Sequence, residues 1–486
     1  MHLLDQIDQW SRLAPDRAAH VSGDRVLTYG ELTARSDALA SWLVDELDDS
    51  SRAPVVVLGH KEPEMLIAFL AAVKAGRPYV PIDTSIPSHR VERIVQTAGA
   101  AIVLTPERIA VESAQRRETR PRRVEKDDPF YILFTSGSTG EPKGVVITLA
   151  NLTAFVDWMR VEHGFGDWAE TFLNQAPFSF DLSVMDLYLS LVTGGTLFSI
   201  TKEEIGNLKK LYEALARSGV TTWVSTPSFA QMCLIERGFN QTMLPALRRF
   251  LFCGETLAPE TASQLIERFA EAEVWNTYGP TEATVATTSI RVDRELLAAH
   301  SPLPVGREMP GTRVFIASES GARVEEGERG EIIIAGPNVS PGYLGREELT
   351  QKAFFLFNGI QAYRTGDWGR ERNGLLFFEG RMDSQVKVNG YRIELGDLEA
   401  NLRALAEVAD AVVLPVQKGE RIESLIAFIV PAIARSGSDF EFTSLLKSGL
   451  VERVPAYMVP RKFRFLDAFP MTANGKADRR KLAEMI

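Results

Sequence analysis

Short apolar runs alternate with longer stretches of helical periodicity along most of the chain. Runs at 54–58, 101–104 and 131–134 are rich in β-branched or aromatic residues and predict buried strands. Helices are expected over 64–75, where a proline precedes the pattern and a glycine follows it, and over 91–97. This alternation favours an α/β fold in which helices cover parallel sheets.

The pattern differs at the beginning of the chain and after the first three hundred residues. Residues 1–50 are expected to be helical, with one short interruption at 25–32. From about residue 311, short apolar runs are separated by glycine-rich turns, which predicts a β-rich subdomain.

A strongly polar stretch near Asp383 predicts a domain boundary. The 486 residues allow two or three domains at roughly 100–200 residues each. We expect a large domain over residues 1–382 and a small α+β domain over residues 383–486, with the order helix, two strands, helix, strand.

Composition excludes several classes of protein. Hydrophobic residues make up 45% and charged residues 24%, as in ordinary globular proteins, and the net charge of −10 gives no indication of nucleic-acid binding or of an anionic membrane. No apolar run reaches the roughly 18 residues that span a bilayer, and the N-terminus lacks the features of a signal peptide. The two cysteines, Cys233 and Cys253, lack metal-ligand spacing. A cytoplasmic protein is the expectation.

A segment of small and hydroxyl-bearing residues follows the predicted strand at 131–134. It reads Thr135-Ser-Gly-Ser-Thr-Gly140, and Lys143 comes shortly after it. Small residues let backbone N–H groups approach a phosphate closely, and the hydroxyls and the lysine add donors and charge. The segment differs from a Walker loop, which has Ser or Thr directly after its lysine. We interpret it as a phosphate-binding loop; the alternative is a surface turn.

Polar segments also follow several other predicted strands, at 225–227, 254–255 and 277–282. Ligands of open α/β sheets bind beyond the carboxyl ends of the strands, so these segments predict one cleft. The arginine-rich run at 116–123 is either a carrier-docking site or a solvated loop.

Taken in order and spacing, motifs throughout the chain resemble those of the adenylate-forming enzymes: acyl-CoA synthetases, luciferases and the adenylation domains of peptide synthetases. The matching segments are 27–32, 74–76, 135–144, 180–183, 276–282, 363–367, 380–399, 455–460 and 474–476. Residues 174–183 and 250–255 resemble, more closely, the D-alanine–D-alanyl carrier protein ligases of teichoic acid D-alanylation.

The resemblance implies the adenylate-forming fold, with a small domain that rotates about a hinge at Asp383, and two half-reactions. A carboxylate attacks the α-phosphate of ATP to give aminoacyl-AMP and pyrophosphate. The phosphopantetheine thiol of a carrier protein then attacks this anhydride. Because the chain ends ten residues after Lys476, we expect the carrier to be a separate protein.

The resemblance also assigns the site residues. The residues it assigns to ATP binding are Thr135, Ser136, Gly137, Ser138, Thr139, Gly140, Lys143, Asn276, Thr277, Tyr278, Gly279, Thr281 and Asp367. Lys476 and Arg381 are assigned to catalysis, Glu282 to Mg²⁺, and Asp181, Cys253 and Val285, together with Lys476, to the amino acid.

Each assignment has a structural alternative. Asp181 would pair with the substrate ammonium, or it would merely cap a helix. Cys253 would line a pocket sized for a methyl group, or it would be a buried small hydrophobe. Tyr278 could be core packing, and Asp367 and Lys476 could be turn residues.

D-alanine is the favoured substrate, and several other functions stay open. A free-standing ligase could load L-alanine or another small amino acid in natural-product biosynthesis. An acyl-CoA synthetase conflicts with Asp181, which would leave an unpaired charge in an apolar pocket. A catalytically silent nucleotide-binding module is the most distant alternative. The short, arginine-rich stretch between Leu104 and Asp127 departs from the D-alanine ligases and leaves the pathway open.

Overall fold

Strands and covering helices alternate through the chain as the pattern predicts. The computed structural model describes residues 2–47, 51–115, 122–135, 141–166, 170–388, 390–418, 421–432, 438–471 and 477–486. The strands are β1 Ala18–Ser22, β2 Arg25–Thr28, β3 Val55–Gly59, β4 Tyr79–Asp83, β5 Ile102–Leu104, β6 Pro129–Thr135, β7 Lys143–Thr148, β8 Thr171–Asn174, β9 Thr196–Ser199, β10 Thr222–Ser225, β11 Arg249–Phe252, β12 Glu273–Tyr278, β13 Thr288–Val292, β14 Arg307–Glu308, β15 Arg313–Ala317, β16 Arg329–Ala335, β17 Gly342–Tyr343, β18 Phe354–Phe357, β19 Ile360–Arg372, β20 Leu375–Arg381, β21 Gln385–Val388, β22 Tyr391–Glu394, β23 Val408–Lys418, β24 Arg421–Pro431 and β25 Lys462–Phe465.

The helices include several with proline in the first turn, where its missing N–H costs nothing. They are α1 Leu3–Leu13, α2 Tyr29–Glu46, α3 Pro63–Lys74, α4 Ser88–Ala98, α5 Pro106–Glu112, α6 Leu149–Glu162, α7 Leu182–Thr193, α8 Lys202–Ile205, α9 Leu208–Arg217, α10 Pro227–Cys233, α11 Pro259–Arg268, α12 Arg294–Ala299, α13 Glu347–Ala353, α14 Leu395–Arg403, α15 Asp439–Val451 and α16 Arg479–Ala483, with 3-10 turns at Thr281–Ala283 and Ala456–Met458.

Two sheets, in each of which most of the described neighbouring strands run parallel, form the framework of the N-terminal part of the chain. The first has the order β14-β13-β12-β11-β10-β8-β9-β1-β2, and the second has the order β17-β7-β6-β4-β3-β5. In the first, β8 to β12 are parallel, so their carboxyl ends lie along one edge. The predicted α/β class is confirmed.

Helices α3 and α7 are the most deeply buried elements. Every residue of each is buried, which explains why both are apolar around most of their circumference. Helix α3 packs on strands of both sheets, and α7 packs on β8, β9 and β10. The helix that begins just after Asp181 is therefore fixed firmly against the first sheet.

A third sheet forms the predicted β-rich part. Its order is β15-β16-β19-β18, with β20 paired to β19, and the described pairs are antiparallel. The expectation of a β-rich region after residue 311 is confirmed, although β19, with 13 residues, is longer than the short strands expected there.

Contacts divide the chain into two units. The first contains residues 1–83, 95–133 and 144–380, and the second contains 84–94, 134–143 and 381–486. In the second unit, β21 and β22 form a hairpin, and β23, β24 and β25 form a sheet. Helices α14 and α15 supply its core through Leu398 and Leu446. The predicted domain limits at 382 and 383 stay a prediction.

The expected helical N-terminus is wrong in part. Residues 18–28 form a hairpin of β1 and β2, and α2 already begins at Tyr29. Strand β1 also pairs in parallel with β9, nearly 180 residues away. This distant pairing stabilises an extended conformation that local periodicity does not indicate. Among the described residues, no helix combines the length and hydrophobicity needed to cross a bilayer.

Candidate active site

The candidate site of the first unit lies where the parallel strands of the first sheet end. Strands β8, β11 and β12 end at Asn174, Phe252 and Tyr278, and each is followed by a segment that carries predicted site residues. Because these strands are parallel neighbours or near-neighbours, their segments meet at one edge, as the sequence predicted.

Tyr278 and Asp367 form a buried pair. The Tyr278 hydroxyl donates to Asp367 Oδ2 at 2.5 Å. Thr365 Oγ1 accepts from the backbone N–H of Asp367 and donates to the carbonyl of Ile332, which anchors the place where the register of β19 against β16 shifts. The residues predicted to face adenine and ribose are thus brought together, and Asp367 is more than a turn residue.

Asp181 occupies the N-cap position of α7, yet within the described surroundings of this helix its carboxylate makes no capping hydrogen bond. Its Oδ2 instead accepts from Thr281 Oγ1 at 2.6 Å. The helix-cap alternative is therefore wrong. The carboxylate belongs to the same cluster as the segment that follows β12.

Glu282 is completely buried, and it directly follows Thr281, the residue that bonds to Asp181. The Tyr343 hydroxyl donates to Glu282 Oε1 at 2.9 Å. In the described part of the chain, no three His, Cys, Asp or Glu side chains form a metal-binding group. A single carboxylate suits Mg²⁺ when substrate phosphates and water complete its ligand shell, so the chemistry of Glu282 fits that ion.

Cys253 and Val285 are buried and in contact, with Cys253 Sγ 3.5 Å from the carbonyl oxygen of Val285. Thr284 and Val285 have φ values of 53° and 70°, which are strained for β-branched residues. A Cβ on Gly279 would lie 2.6 Å from Ala286 Cα, so only glycine fits where β12 passes this turn. The predicted pocket wall is a tight, strained turn.

Asn276 and Thr277 are held by the protein itself. Asn276 Nδ2 donates to the carbonyl of Pro304 at 2.9 Å, and Thr277 Oγ1 donates to the carbonyl of Phe252 at 2.8 Å. These bonds fix the end of β12. Asn276 Oδ1 is the atom of this side chain that could accept a hydrogen bond from an adenine amino group.

Two predicted phosphate-binding residues belong to the second unit. Thr135 ends β6 and Lys143 begins β7. Among the described atoms, the buried Thr135 Oγ1 has no hydrogen-bond partner. The loop residues Ser136, Gly137, Ser138, Thr139 and Gly140 lie outside the described residues, as does Lys476.

Arg381 also lies in the second unit, where it forms a two-pronged ion pair. Its Nε and Nη2 donate to the two carboxylate oxygens of Asp383 at 3.0 and 2.6 Å. Burial is the largest single influence and raises the pKa of Asp383, but the hydrogen bond and charge of Arg381, the backbone N–H of Gln385 and the charge of Arg392 together hold that pKa below its usual value. The proposed hinge residue is therefore charged and paired at neutral pH.

Comparison with known proteins decides the family. The AMP-binding enzyme family matches residues 7–344, and the AMP-binding enzyme C-terminal domain matches residues 397–476. The chain belongs to the AMP-binding enzymes. It is 49% identical to proteins named D-alanine–D-alanyl carrier protein ligase from Bacillus anthracis and Bacillus cereus, over 99% of this chain and 99% of each relative. Both resemblances expected from the sequence are confirmed.

Solved structures that contain adenylation domains share the fold. The Vibrio cholerae adenylation domain AlmE, in complex with glycyl-adenosine-5'-phosphate, has a TM-score of 0.83 and 22% identity over 99% of this chain and 98% of that one. An artificially fused adenylation–PCP di-domain from Klebsiella oxytoca has a TM-score of 0.80 and 25% identity, over 95% and 93%.

Sequence analysis missed two residues that support the site of this AMP-binding enzyme. Tyr343 orients Glu282, and the buried Asn338 donates to the carbonyl of Ala283 and to Thr287 Oγ1 at 2.8 and 2.9 Å, which braces the strained turn. Their only sequence signal is a Gly-Pro-Asn turn and a Gly-Tyr pair. Neither singles them out, because their partners are more than fifty residues away.

Proposed function

We propose that this AMP-binding enzyme uses ATP to activate D-alanine as D-alanyl-AMP and then transfers the D-alanyl group to the phosphopantetheine thiol of a separate carrier protein. The observation that carries the proposal is the 49% identity, over the full length of both chains, to ligases named for that reaction.

In the first step, a carboxylate oxygen of D-alanine forms a bond to the α-phosphorus of ATP, and the bond from that phosphorus to pyrophosphate breaks. Two anions must meet, so donors and cations have to be oriented before reaction. We assign this role to Lys476, which would bridge carboxylate and α-phosphate, and to the loop from Thr135 to Lys143. Arg381 would support the ribose or the phosphates.

Nucleotide binding falls to residues that the first unit groups together. Asp367 would accept from the ribose hydroxyls, and its hydrogen bond from Tyr278 supports a fixed orientation. The Tyr278 ring would stack on adenine, with Asn276 at the adenine edge. Mg²⁺, held by Glu282, would neutralise charge on the phosphates. Thr277, Gly279 and Thr281 would line the same nucleotide site.

Two groups of residues, each forming one wall of the proposed amino-acid pocket, would select the amino acid. Asp181, supported by the hydroxyl of Thr281, would pair with the substrate ammonium. Cys253 and Val285 would surround the methyl group. A pocket of this kind discriminates one methylene by only about 1–3 kcal/mol, so the preference for D-alanine over slightly larger amino acids would be partial.

In the second step, the sulfur of the carrier thiol would attack the carbonyl carbon, its proton would pass to solvent, and the bond to AMP would break. The similarity in fold to an adenylation–PCP di-domain supports a carrier protein as the partner. Because the 486 residues include only two cysteines, and both are buried, we place the enzyme in a reducing cytoplasm.

Amino-acid-dependent exchange of pyrophosphate into ATP tests the proposal. The substrates are D-alanine, L-alanine, glycine, D-serine and a fatty acid. We expect strong exchange with D-alanine and weaker exchange with the others. A preference for L-alanine would keep the chemistry and overturn the substrate, whereas absence of exchange with all five would overturn the proposed reaction.

A further inference from the structure

A buried lysine outside the assigned site contacts the beginning of the segment that carries Asp181. Lys61 follows β3, and only 1% of its surface is exposed. Its Nζ donates to the carbonyls of Gln175 and Ile200 at 2.7 Å and to that of Asn174 at 3.2 Å. An ammonium group in the interior is costly unless all its protons are bonded, and these three carbonyls satisfy it.

The three carbonyls mark a specific place in the fold. Asn174 ends β8 and Ile200 directly follows β9, so Lys61 binds the carboxyl ends of two adjacent parallel strands. The segment from Gln175 to Asp181 leaves the sheet at this point. Lys61 therefore fixes the exit of the segment that ends in the carboxylate proposed to bind the substrate ammonium.

The Asn174 side chain extends this attachment to the other end of the segment. Its Nδ2 donates to the carbonyl of Ala176 at 3.1 Å and to Asp186 Oδ1, on α7, at 3.0 Å. Its Oδ1 accepts from Ser199 Oγ at 2.8 Å. The Asn174 side chain thus bonds to Ala176, which precedes Asp181, and to Asp186, which follows it on α7.

Charged groups around Lys61 act on its pKa in opposite directions. Burial lowers the pKa of Lys61 to about 7, although Asp186, Asp83 and Glu204 oppose this, while Lys202 adds to it. Burial likewise raises the pKa of Asp186 well above its usual value. Even a neutral Lys61 keeps two N–H donors, so the attachment persists across the neutral range.

We propose that Lys61 is a positioning residue for the amino-acid substrate: by binding the carbonyls at the exit of β8 and β9, it sets the location of Asp181. This inference rests on the proposed function, because it needs an ammonium-bearing substrate at Asp181. A displacement of about 1 Å in a substrate-binding group can reduce rates by up to about a hundredfold.

Lys61→Met tests this proposal, since methionine matches the unbranched stem of lysine and removes the ammonium group with its donors. We expect the KM for D-alanine to rise at least about tenfold and the KM for ATP to change less than about twofold. Lys74→Met is the matched control. Lys74 is also a buried lysine of the first unit, but it binds Ser36, Asp37 and Asp8, away from the Asp181 segment. It should lose stability without a selective change in the KM for D-alanine.

Ser199→Ala is a milder variant that decides the matter should Lys61→Met fail to fold. It removes one bond to Asn174, and we expect a selective rise of about threefold in the KM for D-alanine. Equal changes in both KM values, or an unchanged KM for D-alanine in soluble Lys61→Met, would overturn the inference. The unmodified enzyme separates the two proposals, because its lack of D-alanine-dependent exchange would contradict the proposed function itself.

Discussion

Replacing Asp181 by asparagine isolates the charge that we assign to substrate recognition. The carboxamide keeps the shape of the side chain and an oxygen that can accept from Thr281 Oγ1, which lies 2.6 Å from the carboxylate. The negative charge is lost, and one acceptor oxygen is replaced by an NH2 donor. The substrate ammonium would then be partly buried without a counter-ion, while the nucleotide contacts proposed for Tyr278 and Asp367 would remain.

The expected effect follows from the burial of the site. Loss of one partner from a buried, hydrogen-bonded charge pair costs about 2–5 kcal/mol. Because Asp181 is only partly buried, we expect its loss of charge to cost about 2–3 kcal/mol, at the lower end of that range. At 1.36 kcal/mol per factor of ten, kcat/KM for D-alanine should fall by about 30- to 160-fold.

Pyrophosphate exchange with D-alanine, compared with adenylate formation from propanoate, measures this effect. Propanoate lacks the ammonium group, so the variant should lose activity with D-alanine and not with propanoate. Ser179→Ala is the control, since the buried Ser179 Oγ has no hydrogen-bond partner among the described atoms and lies in the same segment. Equal losses with both substrates, or a comparable loss in Ser179→Ala, would refute the role of the Asp181 charge.

Three further predictions concern other parts of the structure. Cys253→Ala should enlarge the pocket and reduce the preference for D-alanine over D-2-aminobutyrate by about tenfold in pyrophosphate exchange; an unchanged ratio would remove Cys253 from the pocket. Tyr278→Phe deletes the bond to Asp367 and should raise the KM for ATP about tenfold while sparing that for D-alanine, whereas equal changes would contradict its nucleotide role. Burial lowers the pKa of His163 to about 3, so below pH 6.5 the unfolded state binds a proton that the folded state does not. The free energy of unfolding should therefore fall by about 2 kcal/mol between pH 7 and pH 5 through this group, and denaturant titrations of His163→Phe should lack that part of the pH dependence.

Features that depend on local order in the sequence were predicted correctly. Apolar runs followed by polar segments located β10, β11 and β12 and the edge at which their segments meet. The resemblance to a family then assigned residues distant in sequence, such as Asp181 and Thr281, to one active site, and the structure joins these two by a hydrogen bond. Roles for Lys476 and for the loop at 136–140 stay predictions, since these residues lie outside the described part of the chain.

Features that depend on distant pairing were missed. Local periodicity predicts a helix at β1, because the parallel partner that makes this segment a strand, β9, lies far along the chain. Lys61 has no local pattern at all, since its three acceptors lie 113 to 139 residues away. A lone lysine after a buried strand is ordinarily a surface residue, and only the three carbonyls around it reveal an interior role.

Both walls of the proposed amino-acid pocket carry a local conformational cost. The carboxylate of Asp181 stands at a helix N-cap yet bonds to Thr281, so α7 forgoes a cap worth about 0.5–2 kcal/mol. On the other wall, Thr284 and Val285 hold left-handed conformations that cost about 1–3 kcal/mol each. Such costs persist only where surrounding structure over-determines the conformation, and here Asn338 braces one wall while Lys61 and Asn174 brace the other. Substrate selectivity in this enzyme would therefore depend on buried polar groups that never contact the substrate.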